Sequence, residues 1–419
     1  MSSVVPEGWE ETNLSSLVSV DIESLKGNTD PDYKFKYIDI SCVSTGSVTP
    51  PSQYILFQNA PSRAKRVVRQ NDVLIATVRP NLKAFAHFDE EGEDWVASTG
   101  FAVLRNKEWA DSRFIFNVML SDDVSGQIDK LVAGSNYPAI NSSDVKDLTV
   151  LSPPLPEQKK IASILTSVDE VIENTQKQID KLQDLKKATM NELLTKGIGH
   201  TEFKDSELGR IPKSWDVLTF SESDIKVLDG DRGNEYPKEA DFKSSGFCLF
   251  LSAKNVTKNG FRFDTTAFIT KDKDERLRKG RLNPQDIVIT TRGTVGNIAF
   301  YDDSVNFNTV RINSGMAIIR NNNAHIECAF IYKLLSSGVI TTQLKNLTFG
   351  SAQPQLTIGT LNELQLPIPP LAEQSQIVSA ITSIQIALDK MENKLSQTKS
   401  LKKSLMQDLL TGKVRVTVN

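Results

Sequence analysis

The sequence predicts an α+β protein: two similar α/β domains separated by an antiparallel pair of long helices, with an internal pseudo-two-fold axis. Three observations carry that prediction. The phrase PPLPEQ at 153–158 returns as PPLAEQ at 369–374. Each phrase opens a long heptad-patterned segment. The residues before each phrase also match in order, so the repeat spans nearly the whole chain and reads as a duplication.

The match is ungapped from Gly134-Ser135 against Gly350-Ser351 to Thr195 against Thr411. Upstream, Asp72–Thr77 (DVLIAT) pairs with Asp286–Thr291 (DIVITT), and Gly100–Arg105 with Gly315–Arg320. The openings agree as well, Pro6 to Trp9 against Pro212 to Trp215. The expected divisions are a first domain at 1–152, a first long helix at 153–197, a linker at 198–211, a second domain at 212–368, and a second long helix with its tail at 369–419.

The helices are the clearest elements. Ile161, Leu165, Val168, Ile172, Thr175, Ile179 and Leu182 step by four and three, as do Ile377, Ile381, Ile384, Leu388, Met391, Leu395 and Thr398. Leu401, Leu405 and Leu409 continue the second seam less regularly. This is a coiled-coil seam with polar residues outside it. Prolines block helix upstream, Glu157 and Glu373 suit the first turn, and Gly197 and Gly412 are natural stops. Each helix runs about 40 residues, or about 60 Å. Mutual burial of two seams joined through the second domain requires them to run antiparallel, which places a domain at each end of a rod.

Within the domains, VLIATV, FAVLR, DIVITT and GMAIIR are β-branched apolar runs bounded by turn formers. Residues 109–131 and 326–344 read as short helices. The copies diverge most between these landmarks, where loops carry specificity.

Composition excludes several classes. No apolar run approaches a membrane span, and the N-terminus lacks a signal-peptide pattern, so no membrane association is expected. Three scattered cysteines, Cys42, Cys248 and Cys328, write no disulfide framework and fit a reducing cytoplasm. The net charge is −3. It is uneven: residues 1–150 hold 14 basic against 21 acidic residues, a balance of −7, whereas 212–370 hold 19 against 17, a balance of +2. A DNA reader of this composition needs local basic clusters or partners that share the phosphate contacts.

Catalytic motifs are missing. There is no P-loop, dinucleotide fingerprint or nucleophile elbow. His87, His200 and His325 are isolated, and His325 with Cys328 makes only half a zinc site. Asp241-Phe242-Lys243 lacks a partner acid for nuclease chemistry. Ser152-Pro153-Pro154-Leu155 has leucine where a base-stacking loop needs an aromatic. No catalytic residue, metal ligand or bound cofactor is expected.

Basic and amide residues recur at matching places. Arg63, Lys65, Arg66 and Arg69 cluster in the first domain, and Arg79, Asn81 and Lys83 follow its VLIAT strand. In the second domain Arg292 and Asn297 follow DIVITT; Arg276, Arg278, Lys279 and Arg281 cluster, with Lys254 and Asn255 nearby in sequence. The loops GSNYPAI and GSAQPQL add Asn136, Tyr137, Gln353 and Gln355. Arg, Asn and Gln read base edges bidentately while Lys positions on phosphate. Any one of these alone is an ordinary surface residue; the matched set favours DNA contact.

Two diverged domains, each followed by a PPLxEQ helix that ends in LLTxG or LLTG, resemble the specificity subunit of type I restriction–modification systems, the HsdS type. The marks are Pro153–Gln158 with Leu193–Gly197, and Pro369–Gln374 with Leu409–Gly412. The resemblance covers essentially the whole chain. It implies a non-catalytic, cytoplasmic subunit whose two target-recognition domains each read half of a split site in double-stranded DNA. It also implies that the helical pair spaces them and docks two methyltransferase subunits, and that restriction/translocase subunits join. S-adenosylmethionine, Mg and ATP are then expected on those partners. The acidic first domain departs from what a stand-alone DNA binder would show. The competing reading is a two-headed coiled-coil scaffold whose ends bind proteins.

Overall fold

The computed structural model describes residues 5–134, 137–348 and 355–418. The chain forms two compact units that do not follow chain order: Met1–Lys177 with Glu392–Asn419, and Gln178–Met391. Each unit therefore holds the beginning of one long helix and the end of the other.

The first unit is built on a four-stranded antiparallel sheet in the order Val18–Val20, Phe101–Asn106, Val73–Ala76, Phe85–His87. The two expected apolar runs are its central pair, in register Phe101↔Ala76. Their alternation is weak because Val73 to Ala76 are buried throughout, as in strands covered on both faces. A second sheet orders Ile55–Leu56, Lys34–Ile38, Trp95–Ser98 and Ala64–Val68, with one parallel pair, Trp95↔Lys36. The second unit repeats this plan. Ile225–Asp229, Met316–Asn321, Ile287–Thr290 and Ile298–Phe300 form its antiparallel sheet, and Cys248–Phe250 lies parallel to Val310–Arg311. In each unit the opening segment pairs antiparallel with the strand leading into the long helix, Glu10↔Ser152 and Asp216↔Ile368.

Each expected short helix is a pair, Ser112–Leu120 with Asp122–Val132 and Cys328–Leu335 with Gly338–Thr348. The break in the first pair falls where the Ser121 hydroxyl accepts from Val124 N and caps a new start. The expected linker contains a hairpin, Phe203–Ser206 against Gly209–Pro212, closed by the Ser206 hydroxyl on Gly209 O at 2.6 Å.

The long helices run Leu155–Lys196 and Leu371–Leu410. In the first unit Ile161 and Leu165 enter the same core as Leu409 and Leu410, beside Trp9, Phe85 and Phe114. In the second, Ile377 and Ile381 meet Met190 and Leu194 beside Trp215 and Phe330. Start lies against end in both, so the pairing is antiparallel as predicted. The seam differs at one expected position. Leu401 is 53 % exposed, and Lys402 turns inward instead to pair with Asp169 at 2.6 Å. A carboxylate on the facing helix makes a lysine the better occupant there.

The repeated phrase has a structural explanation. Glu157 accepts from the Trp9 indole at 3.1 Å and from Arg415 at 2.8 Å at both carboxylate oxygens. Glu373 accepts from the Trp215 indole at 3.0 Å, from Ile198 N at 2.9 Å, and lies 2.8 Å from His200 Nε2. Each first-turn carboxylate thus joins its unit's opening tryptophan to the segment that follows the other long helix. Burial alone would raise the Glu157 carboxyl, but the bonds from Arg415 and Trp9 outweigh it and hold it below its ordinary range. Gly197 and Gly412 both take the left-handed conformation, at φ +66° and +67°. A Cβ on Gly197 would lie 2.3 Å from the Glu373 carboxylate, so glycine is required twice over.

Candidate nucleic-acid interface

Chain connectivity brings the two candidate loops of each unit together. In the first, the chain leaves Val73–Ala76 at Thr77, whose N–H donates to Gly100 O at 2.8 Å. Pro138 to Ile140 run alongside: Arg79 N donates to Pro138 O at 2.8 Å, Ile140 N donates to Thr77 O at 2.9 Å, and Val78 bridges Ala139. In the second, Leu356 N donates to Thr291 O at 3.1 Å while Thr291 N donates to Gly315 O at 2.8 Å. The two copies build the same two-loop edge on the same sheet.

The edges carry different side chains. The first presents exposed Arg79 and Asn81, with Tyr137 83 % and Leu82 64 % exposed. Arg79 and Lys83 both adopt left-handed backbone, at φ 51° and 50°, a conformation that costs a non-glycine residue free energy. The second presents Arg292 beside Gln355; with the Gln355 amide turned so that its oxygen faces the guanidinium, that oxygen accepts from Nε at 2.9 Å and Nη2 at 3.0 Å. Asn136 and Gln353 lie outside the described residues.

Other candidates are engaged within the fold. Arg66 pairs with Asp21 at 3.0 Å, and Arg69 with Glu23 at 3.0 Å. Lys65 stands over the Phe57 ring at 5.3 Å. Lys83 donates to Leu120 O at 3.3 Å, the end of a helix where a cation is favoured. Asn255 is buried; it accepts from Ser252 N at 2.9 Å and donates to Arg262 O at 3.0 Å and Thr265 O at 2.7 Å. Asn297 donates to Val256 O at 3.0 Å. Arg63, Lys254 and Arg278 remain exposed. Arg278 and Lys279 follow a turn anchored on Asp231. Burial opposes ionisation of that carboxyl, but the amides of Gly233, Arg278 and Lys279 hold it below its ordinary range.

Sequence reasoning passed over Leu82, for which position beside Arg79 was the available signal. It also passed over Arg415 and read His200 as isolated; their partners, Glu157 and Glu373, lie more than a hundred positions away. Among the described residues no group of His, Cys, Asp and Glu could hold a metal ion, and no helix is long and apolar enough to cross a membrane.

Fold and edges together define a duplicated protein with two similar frameworks and two unlike loop edges. Comparison with known proteins gives the family. Residues 6–184 and 215–399 match the type I restriction modification DNA specificity domain, and the chain belongs to that family. It is 27 % identical over 424 residues to the putative MjaX type I restriction enzyme specificity subunit of Methanocaldococcus jannaschii, covering 98 % of this chain and 95 % of the relative. It is also 27 % identical to the MjaVIII specificity subunit of that organism, covering 98 % and 94 %. Among solved structures, it resembles a chain described under complex assembly and conformational transition of the type I R-M system, with TM-score 0.63 at 23 % identity over 98 % of this chain and 100 % of that one. The type I restriction-modification system S subunit from M. genitalium matches with TM-score 0.58 at 16 % identity over 100 % of this chain and 98 % of that one. The resemblance read from the repeated phrases is met.

Proposed function

We propose that this chain is the DNA-reading subunit of a type I restriction–modification assembly in the cytoplasm. Each unit reads one half of a bipartite, asymmetric duplex site. The paired helices set the gap and dock two methyltransferase subunits, and restriction/translocase subunits complete the complex. Methylation and cleavage belong to those partners, which hold S-adenosylmethionine, Mg and ATP.

One observation carries this reading: the same two-loop edge occurs in both units with different chemistry, Arg79, Asn81, Leu82 and Tyr137 against Arg292 and Gln355. Equivalent placement supports a shared task, and unlike side chains support unlike half-sites. The acidic balance of the first domain fits a reader whose partners supply much of the phosphate contact.

The test is selection from a random duplex library with the chain co-purified with its methyltransferase. Two unlike short motifs at a fixed gap are expected. An intact complex that enriches no motif would overturn the proposal and leave a protein-binding scaffold. Insertion of one heptad into each long helix is expected to widen the gap and preserve both motifs; a changed motif would refute the spacing role.

A further inference from the structure

We infer that Arg292 reads a guanine in the major groove through its terminal Nη1/Nη2 edge, with Gln355 as the positioning residue that aims it. This rests on the reading of the second unit as a DNA reader.

The backbone at Arg292 is fixed before any ligand arrives. Thr291 N and Arg292 N both donate to Gly315 O, at 2.8 and 3.3 Å, and Thr291 O accepts from Leu356 N. The side chain therefore starts from a rigid sheet end. Beyond it come Gly293 and Thr294, then Gly296, with both glycines in left-handed backbone at φ 75° and 87° and nothing within 4 Å of where their Cβ atoms would stand. The loop leaves room for a groove wall to come close.

The guanidinium is held by one edge only. Gln355 takes Nε and Nη2. A guanidinium has five N–H donors in a planar fork, so Nη1 and the second hydrogen of Nη2 still form a parallel pair. Guanine offers two acceptors, O6 and N7, matched to such a pair. Adenine offers a donor beside its N7, and the pyrimidines offer no paired acceptors in this groove.

The holding group is neutral, and this separates Arg292 from most arginines of the chain. Among the described residues Arg66, Arg105, Arg281, Arg311 and Arg320 each pair with a carboxylate, whereas Arg292 has none within 4.0 Å. A carboxylate would cancel the charge offered to DNA; an amide fixes the rotamer and leaves the charge. A phosphate clamp gains little from that arrangement, since a flexible lysine serves as well. Fixing the plane of the fork matters for bidentate reading of a base edge, where preorganisation lowers the ordering cost.

The experiment compares wild type, Arg292→Ala, Arg292→Lys and Gln355→Ala, each as the full chain in complex with its methyltransferase, by the same library selection and by competition binding on the recovered site. Wild type is expected to require guanine at one position of the second half-site. Arg292→Ala and Arg292→Lys are each expected to lose about 5- to 150-fold discrimination at that position, with every other position unchanged. Gln355→Ala is expected to lose part of that discrimination there while retaining affinity for the other bases, a readout that general destabilisation would not move. Retention of the first half-site motif shows that each variant is folded. A uniform loss across all sequences in Arg292→Ala, restored by Arg292→Lys, would make Arg292 a phosphate contact and overturn the inference. Unchanged preference in both Arg292 variants would overturn it too. Wild type enriching no motif would instead defeat the DNA-reading proposal itself.

Discussion

Replacing Gln374 by leucine tests the claim that the repeated Glu-Gln pair is a fastening rather than a recognition element. Gln374 is fully buried. Its amide oxygen accepts from Glu327 N at 2.8 Å, and its nitrogen donates to Pro369 O at 2.9 Å and His325 O at 3.0 Å. Leucine fills the volume and leaves one N–H and two carbonyls without a partner. Each such group costs about 1–3 kcal/mol, and the carbonyls cost towards the lower end. The gain from burying a leucine offsets about 1 kcal/mol, so the loss is about 4 kcal/mol. For a unit of about 200 residues this lowers the melting temperature by about 8–16 °C, read as the calorimetric transition of the second unit in the full chain. The Gln158→Leu variant in the first unit is expected to lose less, because two of its four bonds are long, to Trp109 O at 3.3 Å and to Ser152 Oγ at 3.5 Å. A Gln374→Leu transition within about 2 °C of wild type would refute the reasoning, because one buried and two part-buried backbone groups left without their partner cannot be neutral.

Two further outcomes follow from the ion pairs. Glu157 is held below its ordinary value of 4.5, so its contribution is present above that pH and lost as pH falls through the folded-state value. Arg415→Ala is therefore expected to melt below wild type at pH 7, with the gap closing as pH falls below the ordinary carboxyl value; a gap that persists in strong acid would count against the pair. The second concerns a motif repeated in both units. Asp286 accepts from Asn283 N at 2.7 Å and pairs with Arg320 at 2.6 Å, and Asp72 does the same with Arg69 N at 2.8 Å and Arg105 at 2.9 Å. Asp286→Ala is expected to cost about 3 kcal/mol in urea unfolding, reduced from the full buried-pair range because Arg320 is partly exposed; a loss under about 1 kcal/mol would show that Arg320 finds water instead.

The duplication, the helix starts and stops and the antiparallel pairing were legible because they depend on periodicity and chain order. The central strands were legible as β-branched runs. The two-loop edge was half legible: its members stood at matching places, but their meeting depends on the Val78↔Ala139 pairing, a contact that no local pattern encodes. The basic clusters misled for a related reason. Lys65 and Arg66 are neighbours in sequence but point to opposite faces of the Ala64–Val68 strand, and Asp21 waits on one of those faces for Arg66. Asn255 looked like a base reader and is a buried turn residue. Leu401 fitted the seam spacing and lost its place to Lys402 because Asp169 faces it.

Net charge is a poor guide to this protein because so many of its arginines are committed within the fold. In the acidic first unit Arg66, Arg69, Arg105 and Arg113 all face carboxylates, so part of the acid excess is the counter-charge of a folding network. Among the described residues the two edges present Arg79 in one unit and Arg292 in the other. Duplex affinity grows with the number of phosphates neutralised, so under the proposed function edges this sparse would contribute discrimination between bases more than grip. The division follows from the framework itself. A sheet tied by buried Asp–Arg pairs and closed by tryptophan-bound carboxylates tolerates change at its loops, so one framework can carry two edges of different chemistry.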